Sequence, residues 1–348
     1  MPHTKFPMPM VDERICVRCE TRDYSTLLPI PLLPRKCIWC SGDVESTGKR
    51  VPAAHMPERN QLKVNRSKRL IGFEIELDRA DNGEAIDAAT KKLGGAHVHD
   101  GSCGSGLEIC TPPAGGDLFI DKIKTFSTEL RAAGAKCGPG LGGAGLHTHI
   151  DCRDMSYQDM RKIAIVYSIL EPAIYSILPP SRITAQYSKP IGPGLAEALR
   201  DPSTAKLDFI KLVEGEPNKS FRSMTKEPKG NGNRYLGANF HSWFLRGTIE
   251  FRLHAGTTKW EKMIPFGLLM CSLVEKAVAM REKDLWNVPN GKAGLHFIAP
   301  DISLKICDGS PGKQYDAKKD GVRQWIDSRW DFFANSRKRP NEPVLKYE

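Results

Sequence analysis

Apolar and polar residues alternate in three short runs, and the alternation predicts strands. In Leu70 to Arg79, Ile71, Phe73, Ile75 and Leu77 interleave with Glu74 and Glu76. In Gly145 to Asp151, Leu146, Thr148 and Ile150 interleave with His147 and His149, and in Thr248 to His254, Ile249, Phe251 and Leu253 interleave with Glu250 and Arg252. Successive side chains of a strand point to opposite faces, so each run sends an apolar set one way and a chemically distinct pair the other. A solvated sheet face ordinarily carries Thr, Lys, Ser and Gln, whereas these pairs are carboxylates, imidazoles and one guanidinium. Three such runs in one sheet would show all three pairs to one cavity.

Around them the spacing changes to that of helices. Glu84 to Leu93 has helical composition, and Asp117 to Ala133 places Ile120, Ile123, Phe126 and Leu130 on one stripe with Gly134 as a stop. Further helices are expected from Ser156, a candidate N-cap, to about Leu178, and from about Lys259 to Arg281. His97 to Asp100 and Leu107 to Cys110, joined through a Gly/Ser loop, read as a hairpin, and Tyr235 to Phe244 reads as a strand turning at Arg246-Gly247 into the Thr248 run. A long polar excursion ending near Asn233 reads as a lid or inserted subdomain. Val322, Trp325, Ile326, Trp330 and Phe333 form a helix-spaced stripe suited to packing. Strands and helices do not alternate as a doubly wound sheet requires, so the expected class is α+β and mainly antiparallel.

The chain has 348 residues, 40% apolar and 26% charged, which excludes wholesale disorder and a fibrous architecture. At roughly 150 residues per domain, this length suggests about two domains, or one large domain with an appendage. The formal charge of +10 suits a nucleic acid, a nucleoside triphosphate or an acidic substrate and does not choose among them. Much of it is local: Lys49, Arg50, Arg59, Lys63, Arg66, Lys68 and Arg69 crowd one stretch, and Arg337, Lys338 and Arg339 another, both readable as solvated linker and tail. No signal-peptide pattern opens the chain, and its most apolar stretch, Ile163 to Leu178, is short and interrupted by Glu171 and Pro172. A cytoplasmic protein with no membrane partner is therefore expected.

Cys16-x2-Cys19 and Cys37-x2-Cys40, seventeen residues apart, have the spacing of a four-thiolate zinc ribbon. Such a closed site is structural, since no coordination position remains for catalysis. Two disulfides or four unrelated thiols are the alternatives. Arg18, Arg22, Arg35 and Lys36 leave nucleic-acid or protein contact through the ribbon open. The expected boundaries are a ribbon at 1–48, a basic linker at 49–68, a catalytic domain at 69–300 and a helical extension with a tail at 301–348.

Gly140 to Gly145 matches GxGxxG but follows a helix and enters a strand, the reverse of a phosphate-binding turn, and no GxxxxGK[ST] is present. Any nucleotide must then be held by metals and basic side chains. The HxH pair alone is compatible with satisfied half-buried histidines or with the opening metal pair of a metal-dependent amidohydrolase-type barrel, but that barrel requires early placement and alternating strands and helices afterwards, and the chain has neither. Glu74 and Glu76 acquire meaning together with Asp100, Glu108, His147 and Glu250, an oxygen-rich set that suits Mg2+ or Mn2+ carrying phosphate oxygens. Arg252, beside Glu250, can then clamp a phosphoryl group. Cys103 and Cys110, near this set, read as buried thiols.

In this order, GFEIE, the DGS and GLE arms of the hairpin, GLHTHID and TIEFRLHAGT resemble the amidoligase family of glutamine-synthetase-like carboxylate-amine ligases, from about Leu70 to about Arg281. The resemblance implies a curved antiparallel sheet of glutamine-synthetase-like type backed by helices. It also implies an ATP-dependent reaction through an acyl phosphate, joining a carboxylate substrate to an amine substrate. Glu74 and Glu76 would be ligands of two different cations, with Asp100, Glu108, His147 and Glu250 as further ligands. His149 and Arg252 would face ATP phosphates and the acyl phosphate, and Arg234 and Asn239 would contact phosphate or substrate. The implied catalytic set is Arg252, Glu250, His149 and Arg234, and the implied cofactors are ATP and Mg2+ or Mn2+, beside structural Zn2+. Asp100 stands where the synthetases use the longer Glu, and no ammonia site is legible, which favours a larger amine. The reading of another class is a zinc-ribbon adaptor with a degenerate catalytic shell.

Overall fold

The computed structural model describes residues 10–16, 22–23, 44–52, 69–99, 105–137, 143–153, 155–192, 194–200, 235–240, 242–243, 247–300 and 321–336. Three strands near the start, β1 (Met10–Cys16), β2 (Arg22–Asp23) and β3 (Val44–Pro52), form an antiparallel sheet in the order β2-β1-β3. β3 continues through Lys49 to Pro52, four residues into the stretch expected as linker. Among the described residues it is an edge strand of this sheet, paired with β1. Cys16 ends β1, whereas Cys19, Cys37, Cys40 and residues 53–68 lie outside the described residues.

The chain then runs β4 (Ile71–Glu76), β5 (Arg79–Ala80), α1 (Gly83–Lys92), β6 (Ala96–His99), β7 (Leu107–Cys110), α2 (Gly116–Ala132), β8 (Ala135–Lys136) and β9 (Gly145–Asp151). After these come α3 (Tyr157–Ser176), a 3-10 turn at Pro180–Arg182, α4 (Gly194–Ala198), β10 (Ala238–Asn239), β11 (Thr248–Ala255), α5 (Trp260–Ala279), α6 (Gly291–Ile298) and α7 (Gly321–Ser336). Six strands make one antiparallel sheet, β10-β11-β9-β4-β7-β6, and β5 and β8 pair separately. The expected α+β class is present, and the three alternating runs, now β4, β9 and β11, are neighbours in one sheet.

One face of the sheet is the core. Ile71, Phe73, Ile75, Leu146, Ile150, Ile249, Phe251 and Leu253 are each at most 1% exposed. Phe73 packs on Phe119 of α2 with ring centroids 5.7 Å apart, and Phe251 lies at the same distance from Tyr167 of α3. Gly267 lets α5 approach closely, since a Cβ there would come within 2.9 Å of the Phe73 ring. Burying each such side chain contributes about 1.5–3 kcal/mol, so the helical layer fixes which face of every strand points outward.

Local signals behave as the pattern predicts at most boundaries. Ser156 caps α3 in a capping box with Asp159, and Gly134 ends α2 with φ +92°. The stripe on α7 is packing, with Val322 and Ile326 fully buried. Tyr235 to Phe244 differs from expectation: only Ala238 and Asn239 pair with β11, and the chain then turns helical at Ser242–Trp243. Burial of the Trp243 indole, which donates to Cys152 O at 3.0 Å and meets Tyr157 edge-on, draws this segment off the sheet. Residues 201–234, most of the expected lid, lie outside the described residues. Among the described residues, no helix is long and apolar enough to cross a membrane.

Candidate active site

Antiparallel register assembles the outward face. Glu76 stands opposite Glu108; Glu74 has Cys110 on one side and His147 on the other; His149 stands opposite Glu250, which stands opposite Asn239. The side-chain distances follow. Imidazole nitrogens of His147 lie 3.2 Å from Glu74, 3.2 Å from Glu76 and 3.4 Å from Glu250. His149 Nε2 lies 3.2 Å from Glu74, and its Nδ1 lies 3.0 Å from the Thr248 hydroxyl, which also contacts Ser242. Asn239 donates through Nδ2 to Glu250 at 2.7 Å. All are buried except Glu76 and Arg252, which are half-buried.

Arg252 is aimed by an irregularity. The β9–β11 register shifts between Phe251 and His254. Over this shift Arg182 donates to Leu253 O and Arg252 O, each at 2.9 Å. The Arg252 side chain donates through Nε to Tyr187 O at 3.0 Å and through Nη1 to Glu250. Segment 182–187 therefore holds both the backbone and the guanidinium of Arg252.

Gly145 lets two strands meet the cluster at close range. Its amide donates to Glu76, and a Cβ at this position would stand 2.9 Å from His147 Nε2 and 3.0 Å from Glu76 Oε2. The last glycine of the GxGxxG run thus serves close approach within the cluster, while Gly140 and Gly142 lie outside the described residues.

Charge dominates the electrostatics. Burial alone would raise the pKa of Glu76, but the His147 imidazolium, the hydrogen bonds from His147 and Gly145, and Arg252 together lower it to about 2. Glu250 is likewise raised by burial, yet Arg252, His149 and His147 outweigh this and bring it to about 2. Burial and Arg252 oppose protonation of His147, and the carboxylates of Glu76 and Glu74 overcome them, lifting it to about 10. Burial would lower Arg252 as well, but Glu250, Glu74 and Glu76 raise it.

Four carboxyl groups therefore share one face with two imidazoles and one guanidinium in a largely buried setting. Three groupings place their ligand atoms within 4.8 Å of one another: Glu74, His149 and Glu250; Glu76, Glu108 and His147; and Glu74, Glu108 and Cys110. The donors are mainly carboxylate oxygens, the set that hard divalent cations take. Asn239 Oδ1, on a residue 7% exposed, is a buried acceptor beside this cluster with no hydrogen-bond partner among the described residues. A cation or a ligand donor would satisfy it.

Of the residues singled out in the sequence, Glu74, Glu76, Glu108, His147, His149, Asn239, Glu250 and Arg252 come together. Asp100 and Arg234 lie outside the described residues. His149, expected to face phosphate, is grouped with Glu74 and Glu250. Cys110 joins the cluster as well as being buried, and its two-residue spacing from Glu108 already placed both on one face. Arg182 and the Tyr187 carbonyl carried no sequence signal, because both act from a turn on a strand about seventy residues away.

Fold and cluster define a class: an α+β protein whose antiparallel sheet carries an acidic, imidazole-bearing candidate cation centre on one face. The chain belongs to the amidoligase family, whose model, described as "Putative amidoligase enzyme", matches residues 53–270 and so contains every residue of the cluster. That membership points to an enzyme of the ligase type. No curated protein matches the chain.

Proposed function

We propose that the chain is an ATP-dependent carboxylate-amine ligase of glutamine-synthetase-like architecture, forming an amide or peptide-like bond through an acyl phosphate. The observation that supports this most is the convergence of Glu74, Glu76, Glu108, His147, His149 and Glu250 with Arg252 on one sheet face. In this reaction a substrate carboxylate oxygen attacks the terminal phosphorus and the bond to ADP breaks. The amine then attacks the acyl carbon, loses a proton, and inorganic phosphate departs.

Glu74, His149 and Glu250, and separately Glu76, Glu108 and His147, would hold Mg2+ or Mn2+, which supplies charge neutralisation to the phosphate oxygens. Arg252, fixed by Tyr187 O and Glu250, presents a preorganised guanidinium to the transferring phosphoryl group. Glu250 orients both Arg252 and Asn239, and the Asn239 carbonyl oxygen offers an acceptor to a substrate N–H. Arg234 belongs to the same phosphate-contacting role, and Asp100 to the cation ligands. The amino-terminal quartet, Cys16, Cys19, Cys37 and Cys40, binds structural zinc in this reading, and the cytoplasm supplies the ATP.

The test is ADP release with Mg2+ or Mn2+ over a matrix of carboxylic acids and amines. Glu74→Ala and Glu250→Ala should abolish it while the zinc of the amino-terminal quartet and the circular dichroism stay unchanged. Turnover retained in both variants rejects the proposal. A wild-type chain whose melting temperature ignores ATP with either cation would instead favour the adaptor reading, because a ligand of the native state must stabilise it.

A further inference from the structure

Cys110 has no role in the ligase reaction as proposed, yet it stands inside the acidic cluster. It lies opposite Glu74 across the β4–β7 pairing and two residues from Glu108 on its own strand, so all three side chains share a face. Its Sγ and one oxygen of each carboxylate lie within 4.8 Å of one another. The three residues are 3%, 8% and 9% exposed, in the order Cys110, Glu74, Glu108. Mg2+ takes hard oxygen ligands and gains little from sulfur, whereas Zn2+ and Co2+ accept thiolate and carboxylate together. Asn239 Oδ1, without a hydrogen-bond partner among the described residues, belongs to the Glu250 side of the sheet, and that side shares only Glu74 with the thiol grouping.

We infer that Glu74, Glu108 and Cys110 form a thiophilic cation position that takes Zn2+ or Co2+ in preference to Mg2+, beside the oxygen and imidazole positions. The inference rests on the ligase reading for its consequence: a soft ion held here engages Glu74 and Glu108 and so controls how the Mg2+ positions fill. Binding forms a sulfur–metal bond and releases the thiol proton to solvent, with no change of oxidation state.

The experiment uses the full chain stripped of metal and titrated with Co2+, wild type against Cys110→Ser. The amino-terminal quartet contributes equally to both, so the difference spectrum isolates Cys110. The expected result is additional thiolate-to-cobalt charge-transfer absorption in the wild type and a loss of affinity of about tenfold or more at one Co2+ equivalent in the variant. Superimposable spectra with equal stoichiometry overturn the inference. Should Cys110→Ser fail to fold, alkylation of the wild type with mass mapping serves instead. Zn2+ or Co2+ must slow modification of Cys110 where Mg2+ does not, and equal rates under all three ions overturn it. ADP release under Mg2+ without a Cys110 band rejects this position alone. A Cys110 band without ADP release for any acid and amine rejects the ligase reading alone.

Discussion

Replacing Arg182 by Met should loosen the strand that presents Arg252. Arg182 is 7% exposed and makes two short bonds from a charged donor, to Leu253 O and Arg252 O, while its approach to Gly143 O at 3.5 Å is marginal. Each short bond is worth about 1.5–3 kcal/mol, a gross loss of roughly 3–6 kcal/mol, because two carbonyls at an irregular strand position lose their partner. Part of this is offset. Burial lowers the pKa of Arg182 despite nearby Glu76, which shows that the guanidinium is itself costly to hold there, and Met removes that cost. The expected net destabilisation is about 2–4 kcal/mol. Arg182→Lys keeps the charge but has a single nitrogen, so it should recover about half of the loss. Urea unfolding followed by circular dichroism reads the stability, with equal slopes confirming comparable unfolding. In the ligase assay kcat should fall more than KM rises, since Arg252 is misaimed and substrate contacts remain. Stability of Arg182→Met within about 0.5 kcal/mol of the wild type, at equal slope, would refute the reasoning.

The same packing and hydrogen bonding set the outcome of other changes. Gly145→Ala should weaken binding of Mn2+, measured by calorimetry, with little loss of fold, because the new methyl group meets His147 Nε2 and Glu76 Oε2. Glu171→Gln should cost about 1–3 kcal/mol in urea unfolding: the carboxylate accepts from Tyr167, Ile191 and Gly192, and an amide NH2 would face one or more of those donors. In EDTA, Glu76 and Glu250 contribute stability present above 4.5 and lost as pH falls toward about 2. His147 contributes stability fully present below 6.5 and lost as pH rises through about 10, so thermal midpoints should decline on both sides of that window. Cation binding at neutral pH should release a proton from His147, read as a buffer-dependent heat in calorimetry.

Much of the candidate site was legible because strand periodicity is a strict rule. Once Ile71, Phe73 and Ile75 are committed to the core, Glu74 must face outward, and the same logic places His147, Glu250 and the Glu108/Cys110 pair. Helix boundaries at Ser156 and Gly134 were legible for equally local reasons. What the pattern could not show depends on distant partners. Trp243 ends β10 early because its indole finds Cys152 O, ninety-one residues back in the chain. Arg182 matters through the carbonyls of a strand irregularity that no residue type announces. Pattern gave no expectation for the 3-10 turn at Glu282–Asn287 or for α6, whose short apolar runs lack a long period.

The sharing of carboxylates has a further consequence. Glu74 belongs to two of the three groupings and Glu108 to two, so no position owns a complete set of donors. In the ligase reading, an ion arriving at one position would withdraw negative charge from its neighbour, and by reciprocity the neighbour's ion would do the same in return. Occupancy of this face would then be a collective property. Mixed ions would give hybrid centres whose behaviour is not the average of the pure ones, and the sequence of loading would leave its mark on the rate at which a fully charged enzyme first appears.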